Sequence, residues 1–278
     1  MKVFALILGL ALTWPVANPA RAATEVLVCY PGGGNVKPRQ AKPAMEKMLG
    51  VLERLGGWTA GTFHHQFTSS VDECRKKIAA DKPAYLITSL GLFLEHRAAH
   101  GLVVMLSPKM AGQGHEIYRI LVKKGGPADL AGLKGKTLGG SLLDEPGFLA
   151  RIVFEAKIDP ATHFSLQPSS RALRDLRKLA KGQLDAVLVN EQQYQALPGL
   201  PFANQLTPAF TSAKLPLLGL AASTQRTEPA ERARMTKAMA GLCADAKGKE
   251  ICDLFGLQAF SPANPEDYKT VIELWDAK

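Results

Sequence analysis

The stretch GGSLLDEPGFLARIVF, residues 139–154, sets Ser141, Asp144 and Glu145 in one turn between an apolar run and an amphipathic one. A turn leading from a strand into a helix aims free backbone N–H groups at whatever lies above it, an arrangement suited to anions. Two carboxylates there oppose an anion. Either they face solvent as helix caps, or the group they meet is not a simple dianion. Residues Ser169, Ser170 and Arg171 offer the opposite chemistry, because hydroxyls, backbone donors and a guanidinium in a first helical turn can act on one anion together.

Other constellations point away from catalysis. There is no G-x-S-x-G, and Ser141 has no evident base nearby in the chain. The run PGGGN, which follows Tyr30 and contains Gly33, lacks the Lys and Ser/Thr of a phosphate loop; it reads equally as a cleft-edge turn or as a direct ligand contact. His96 and His100 share a helix face, as zinc ligands must, but no glutamate follows His96 in the hydrolytic arrangement, and His64 and His65 alternate across a strand. No metal or other cofactor is expected. The stripe Arg174, Lys178, Lys181 reads as a solvated face.

The elements that must position these groups alternate between strand and helix. TEVLVCY reads as a strand, and Ala41 to Leu55 as a helix with Ala44, Met48, Leu52 and Leu55 on one face. WTAGTFHHQF reads as a second strand, Ser69 and Ser70 as caps for a helix from Val71 to about Ala80, and AYLITS as a third strand leading into a helix that ends near His100. Strands alternating with helices predict mostly parallel sheets flanked by helices. The layout then repeats: DECRKKIAADKPAYLITS and RALRDLRKLAKGQLDAVLVN each give a basic amphipathic helix, a polar break and an apolar strand. The carboxyl ends of those strands turn polar at Thr88-Ser89 and at Asn190-Glu191. Two α/β lobes follow, the first from 24–112 with 212–278 and the second from 113–211, joined by crossovers around HEIYRILVKKG and LPLLGLAAS. Ligands of such sheets sit beyond the carboxyl ends of the strands. Position therefore nominates Tyr30, Gly33, Thr88, Ser89 and Ser141, together with Asp144, Glu145, the 169–171 turn, Asn190 and Glu191. Tyr118 reaches the same cleft from the crossover.

The N-terminus fixes an expected compartment. Lys2, the apolar run Val3 to Leu12 and the small residues around Arg21 follow secretory order, so residues 1–22 read as a signal peptide cleaved after Ala22. The run is too short to span a membrane, and Val28 before Cys29 argues against a lipid anchor. Cleavage lowers the formal charge from +9 to about +7, with the basic residues dispersed, which excludes a nucleic-acid role. Four cysteines in an oxidising compartment favour disulfides. Cys243 and Cys252 flank a short polar stretch and are the favoured pair, Cys29 and Cys74 pair by elimination, and buried free thiols are the alternative for both.

The segments DLAGLKGKTLGGSLLDEPGFLARIVFEAKIDPATHF, LRKLAKGQLDAVLVNEQQYQAL, AYLITSLGLFLE and GLCADAKGKEICDLFGLQAFSPANPEDYKTVIELW resemble those of periplasmic solute-binding proteins of the phosphate, phosphite and phosphonate importer type. The resemblance implies the two-lobed type II periplasmic binding fold and a monomeric, non-enzymatic protein. Such a protein captures a small anionic or zwitterionic, phosphonate-like solute between its lobes and hands it to the permease of an ABC importer; partnership with a membrane sensor, or an enzyme on the same fold, are the alternatives. It further implies that Ser169, Ser170 and Arg171 supply anion contacts, and that Asn190 and Glu191 meet an amine-bearing part of the ligand. Family members carry a Ser/Thr-Ser-Gly turn where this chain has Leu143-Asp144-Glu145-Pro146-Gly147. That departure suggests a mixed-charge or neutral ligand.

Overall fold

The computed structural model describes residues 24–29, 38–110 and 114–277. The expected leader at 1–22 and the candidates Tyr30 and Gly33 lie outside the described residues. The first lobe opens with β1 (Thr24–Cys29), α1 (Pro38–Gly56), β2 (Phe63–Thr68), α2 (Val71–Asp81), β3 (Tyr85–Ile87), α3 (Leu90–His100) and β4 (Leu102–Met110). Ser70 and Ser89 cap α2 and α3: their hydroxyls accept from the Glu73 and Leu92 N–H groups at 3.3 and 3.1 Å. Helix α1 forms where expected but is rotated. It buries Ala41, Met45, Met48 and Leu52, leaving Leu55 exposed. Strand β2 starts at Phe63, later than the expected Trp58, because residues 59–62 close a turn and the Trp58 ring packs edge-on to Phe63 at 4.9 Å.

The chain then supplies β5 (Arg119–Lys123), β6 (Thr137–Gly140) and α4 (Pro146–Phe148), which passes into one π-helical turn at Leu149–Val153. Next come α5 (Pro160–His163), β7 (Ser165–Pro168), α6 (Ala172–Ala180), β8 (Ala186–Val189), α7 (Glu191–Ala196) and β9 (Leu206–Thr211). The return passes through β10 (Leu220–Ser223), α8 (Pro229–Ala240), α9 (Ala246–Leu254), β11 (Leu257–Pro262) and α10 (Glu266–Asp276).

Two sheets result, of order β11-β4-β10-β3-β1-β2 and β7-β6-β8-β5-β9. Most strands of each sheet share one direction, as expected: β1, β2, β3 and β4 in the first and β6, β7, β8 and β9 in the second, with β10, β11 and β5 reversed. The pairs β1/β2, β1/β3, β6/β7 and β6/β8 are parallel, whereas β10 and β5 run antiparallel to both their neighbours. The cause lies in the crossovers. A strand that carries the chain out of one sheet and a strand that brings it back both meet the interlobe side, so they must run in opposite directions. The two crossovers pair with each other at Glu116 and Leu215, whose N–H and C=O groups exchange bonds of 2.8 and 2.9 Å.

One apolar cluster runs through both lobes, from Leu27, Leu86 and Phe93 to Leu138, Ile152 and Leu188, and it includes Tyr268 and Val271 of α10. Helix α10 reaches both sides: Asp276 pairs with Arg97 of α3, and the Trp275 carbonyl accepts from Arg151 of the π turn at 2.9 Å. Cys243 is bonded to Cys252 and Cys29 to Cys74, with Cα separations of 5.6 and 5.8 Å.

Candidate functional site

Four strand ends deliver the polar groups. Cys29 closes β1, Thr88 and Ser89 follow β3, Ser141 follows β6 and Asn190 follows β8. All five residues line a cavity of about 450 Å³ between the sheets. Gly140 makes the β6 end possible. A Cβ there would stand 2.5 Å from the Leu188 carbonyl oxygen, so only glycine lets β6 lie this close to β8 and turn Ser141 into the cavity. Leu142 completes the turn at φ +66°, a conformation costly for a branched residue and held by the surrounding packing.

The polar wall presents hydroxyls and amides. Thr88 is 7% exposed and its Oγ1 has no hydrogen-bond partner in the protein, which leaves a buried polar atom to be satisfied by something in the cavity. Asn190 caps α7 through a reciprocal box: its Oδ1 accepts from the Gln193 N–H at 2.8 Å and the Gln193 Oε1 accepts from the Asn190 N–H at 3.1 Å. Both oxygens are thereby used, and the two NH2 groups remain as donors on the cavity side. Glu116 accepts from the backbone N–H groups of Glu191 at 2.7 Å and Ile117 at 3.2 Å; burial pushes its carboxyl above the usual range despite them. Burial likewise raises the Tyr118 phenol well above 10, so it lines the cavity as a neutral ring.

Glu145 answers the question posed by its turn. It is 2% exposed, and its Oε2 accepts from the Ser89 hydroxyl at 2.8 Å, directly at the start of α3. The helix end that would welcome an anion is thus occupied by the protein's own carboxylate, reaching across from the other lobe. Gly91 creates the room, since a Cβ at that position would lie 2.2 Å from Glu145 Oε2 and 2.8 Å from Phe148 Cβ. Burial raises the Glu145 pKa to about 7, against the opposing pull of the Ser89 and Leu92 hydrogen bonds and the Arg75 guanidinium, and its Oε1 has no partner. Asp144 is exposed; its carbonyl accepts from Arg75 of α2 at 3.4 Å, a second polar link between the lobes. Neither side chain lies in the cavity lining.

A family model for the periplasmic substrate-binding protein of ABC phosphonate transporters matches residues 36–268. The chain belongs to this family. Three solved structures are similar to it in fold. A binding-protein component of an ABC phosphonate transporter from Pseudomonas aeruginosa has 16% identity and a TM-score of 0.64, with 91% of this chain and 85% of that one covered. A Xanthomonas citri protein bound to ATP has 15% identity and a TM-score of 0.66, covering 91% and 95%. PhnD1 from Prochlorococcus marinus in complex with methylphosphonate has 14% identity and a TM-score of 0.62, covering 91% and 96%. The architecture is that of type II periplasmic binding proteins. No curated protein sequence matches the chain.

In this family member the nominated residues divide. Thr88, Ser89, Tyr118, Ser141 and Asn190 converge on the cavity. Glu191 does not line it; its carboxylate is buried against Arg119 at 2.5 Å and Gln195 at 2.8 Å, and the Arg119 guanidinium in turn lies 4.0 Å over the Tyr194 ring. The 169–171 turn also stands outside the lining: the Ser169 N–H donates to the Gly140 carbonyl at 2.9 Å, its Oγ accepts from the Arg171 N–H and from Arg174, each at 3.1 Å, and Ser170 and Arg171 are exposed. Sequence reasoning missed Glu116 and Gln193 at the cavity, and Arg75 at the lobe contact. The asparagine-to-glutamine spacing of a capping box was a readable signal for Gln193; nothing local marked the other two. Among the described residues no three His, Cys, Asp or Glu side chains form a metal-holding group, and burial lowers the His96 pKa.

Proposed function

We propose that the protein captures a small solute in the cavity between its lobes and presents it to the permease of an ABC importer, as a monomer exported by cleavage after Ala22. The observation that carries this reading is the convergence of uncharged donors from both sheets on one cavity, with the buried Thr88 hydroxyl lacking any protein partner. Family membership supports the transport role. Methylphosphonate, the ligand held by PhnD1, is the natural first probe. Binding rather than turnover is supported by family membership, and the Ser89 hydroxyl is engaged in capping, accepting from the Leu92 N–H while it donates to Glu145. Tyr118 and Leu215 mark the hinge, where two hydrogen-bonded crossovers carry the chain between sheets. Calorimetry with methylphosphonate, together with small-angle scattering, tests the reading. Saturable binding with contraction of the particle is expected, whereas a particle indifferent to phosphonates and to a broader panel of small polar solutes would sink it.

A further inference from the structure

The cavity is larger and less polar than a compact anion requires. At roughly 30 Å³ per water-sized group, 450 Å³ holds on the order of fifteen such groups, while methylphosphonate has five heavy atoms. The remaining space is bounded by Met45 and Met48 of α1, Phe67 of β2, Ile251 of α9 with Phe255 just after it, and Phe260 of β11. These side chains form one face of a single apolar cluster that belongs to the six-stranded lobe. The hydroxyls and amides of Thr88, Ser89, Ser141, Asn190 and Gln193 stand instead at the strand ends between the lobes. Among the described residues of the lining there is no lysine, arginine or histidine.

We infer that the solute of this site is amphiphilic: a compact hydrogen-bonding head held by the interlobe hydroxyls and amides, and an apolar body of several carbons against the methionine and phenylalanine wall of the first lobe. This rests on the reading of the cavity as the solute site. The physical reason is that water confined against an apolar wall gains little from it, whereas each methylene moved there from solvent is stabilised by about 0.8 kcal/mol. Two flexible methionines adapt such a wall to chains of differing shape. A small dianion would leave this surface wet and find no cation in the described lining to offset its charge.

Two homologous series decide it, the n-alkylphosphonates and the n-alkylcarboxamides from one to eight carbons, measured by calorimetry on the full mature chain. Affinity should rise two- to fourfold per added methylene in at least one series, with a negative heat-capacity change that grows with chain length. Leu257→Asn places an amide on the half-buried apolar wall at nearly constant size. It should weaken octyl binding at least fivefold while changing affinity for the methyl member less than twofold, both measured below the variant's own melting transition. Binding of the methyl members with no gain along either series overturns the amphiphile and leaves solute capture standing. Absence of binding at every length, in both series, overturns both.

Discussion

Glu145→Gln removes a titratable proton from the lobe interface while keeping an acceptor for the Ser89 hydroxyl. In the native protein burial holds the carboxyl at about 7 against an ordinary 4.5, a gap that corresponds to roughly 3 kcal/mol. The sign follows from which state holds the proton. Between these two values the folded protein keeps it and the unfolded chain has released it, so the stability that Glu145 contributes is complete below pH 4.5 and is lost as pH rises through about 7. The amide resembles the protonated acid at every pH. Wild type and variant should therefore match near pH 4.5, and by pH 8.5 the variant should be the more stable by roughly 3 kcal/mol, or about 6 to 12 °C in melting temperature for a chain of this size. Urea unfolding of both proteins at several pH values measures the difference. Other raised carboxyls, Glu116 and Asp144 among them, are common to the two proteins and cancel. A stability difference that stays constant from pH 4.5 to 8.5 would refute the placement of a buried, protonatable carboxyl at the start of α3.

The remaining predictions concern the anion site, the turn beside it and the disulfides. Glu145→Ser vacates the helix start and should raise methylphosphonate affinity about tenfold, while Asp144→Ser, on the exposed side of the turn, should change it less than twofold; calorimetry that ranks them the other way would assign the repulsion to Asp144. Arg171→Ala should alter affinity for methylphosphonate less than twofold because the residue stands outside the cavity lining, and a tenfold loss would restore it as an anion contact. Gly91→Ala forces a methyl against Glu145 and Phe148 and should destabilise the fold by about 1 to 3 kcal/mol in denaturant unfolding. Replacing Cys243 with Ala opens a loop of sequence separation 9 at a cost of about 2 to 3 kcal/mol, and doing the same to Cys74, at separation 45, about 4; equal losses would show that loop entropy is not the governing term.

What could be read from the sequence was local. Ser70 and Ser89 cap their helices as expected, because a cap needs only its own side chain and an N–H three residues on. The strand ends at Thr88 and Asn190 could be read for a similar reason, since an apolar run that stops at polar residues marks where a buried strand meets a cleft. What failed depended on distant partners. The face of α1 was displaced because its packing surface is set not only by the adjacent β2 but also by α8 and α9, far along the chain. The shared direction of most strands was legible from their alternation with helices, whereas the reversal of β5 and β10 comes from crossing between the lobes. Glu191 looked like a ligand contact by position, yet Arg119, 72 residues away, claims its carboxylate.

Glu145 shows most clearly how such a distant partner changes chemistry. Two adjacent carboxylates at a helix entry have identical local claims to solvent, to a cap or to a ligand. The backbone turn at Leu142 and the missing side chain at Gly91 separate them: Asp144 faces outward, and Glu145 enters a slot that a single Cβ would close. Once there, it accepts from the Ser89 hydroxyl at the start of α3 and, when ionised as pH rises through about 7, offsets the attraction that helix start would exert on an anion. The same bond joins the lobes. With that electrostatic site filled from within, the remaining means of holding a solute tightly are neutral donors and apolar area, and the cavity supplies both. If the cavity is the solute site, Glu145 at the start of α3 moves its selectivity from charge toward shape and hydrophobic surface.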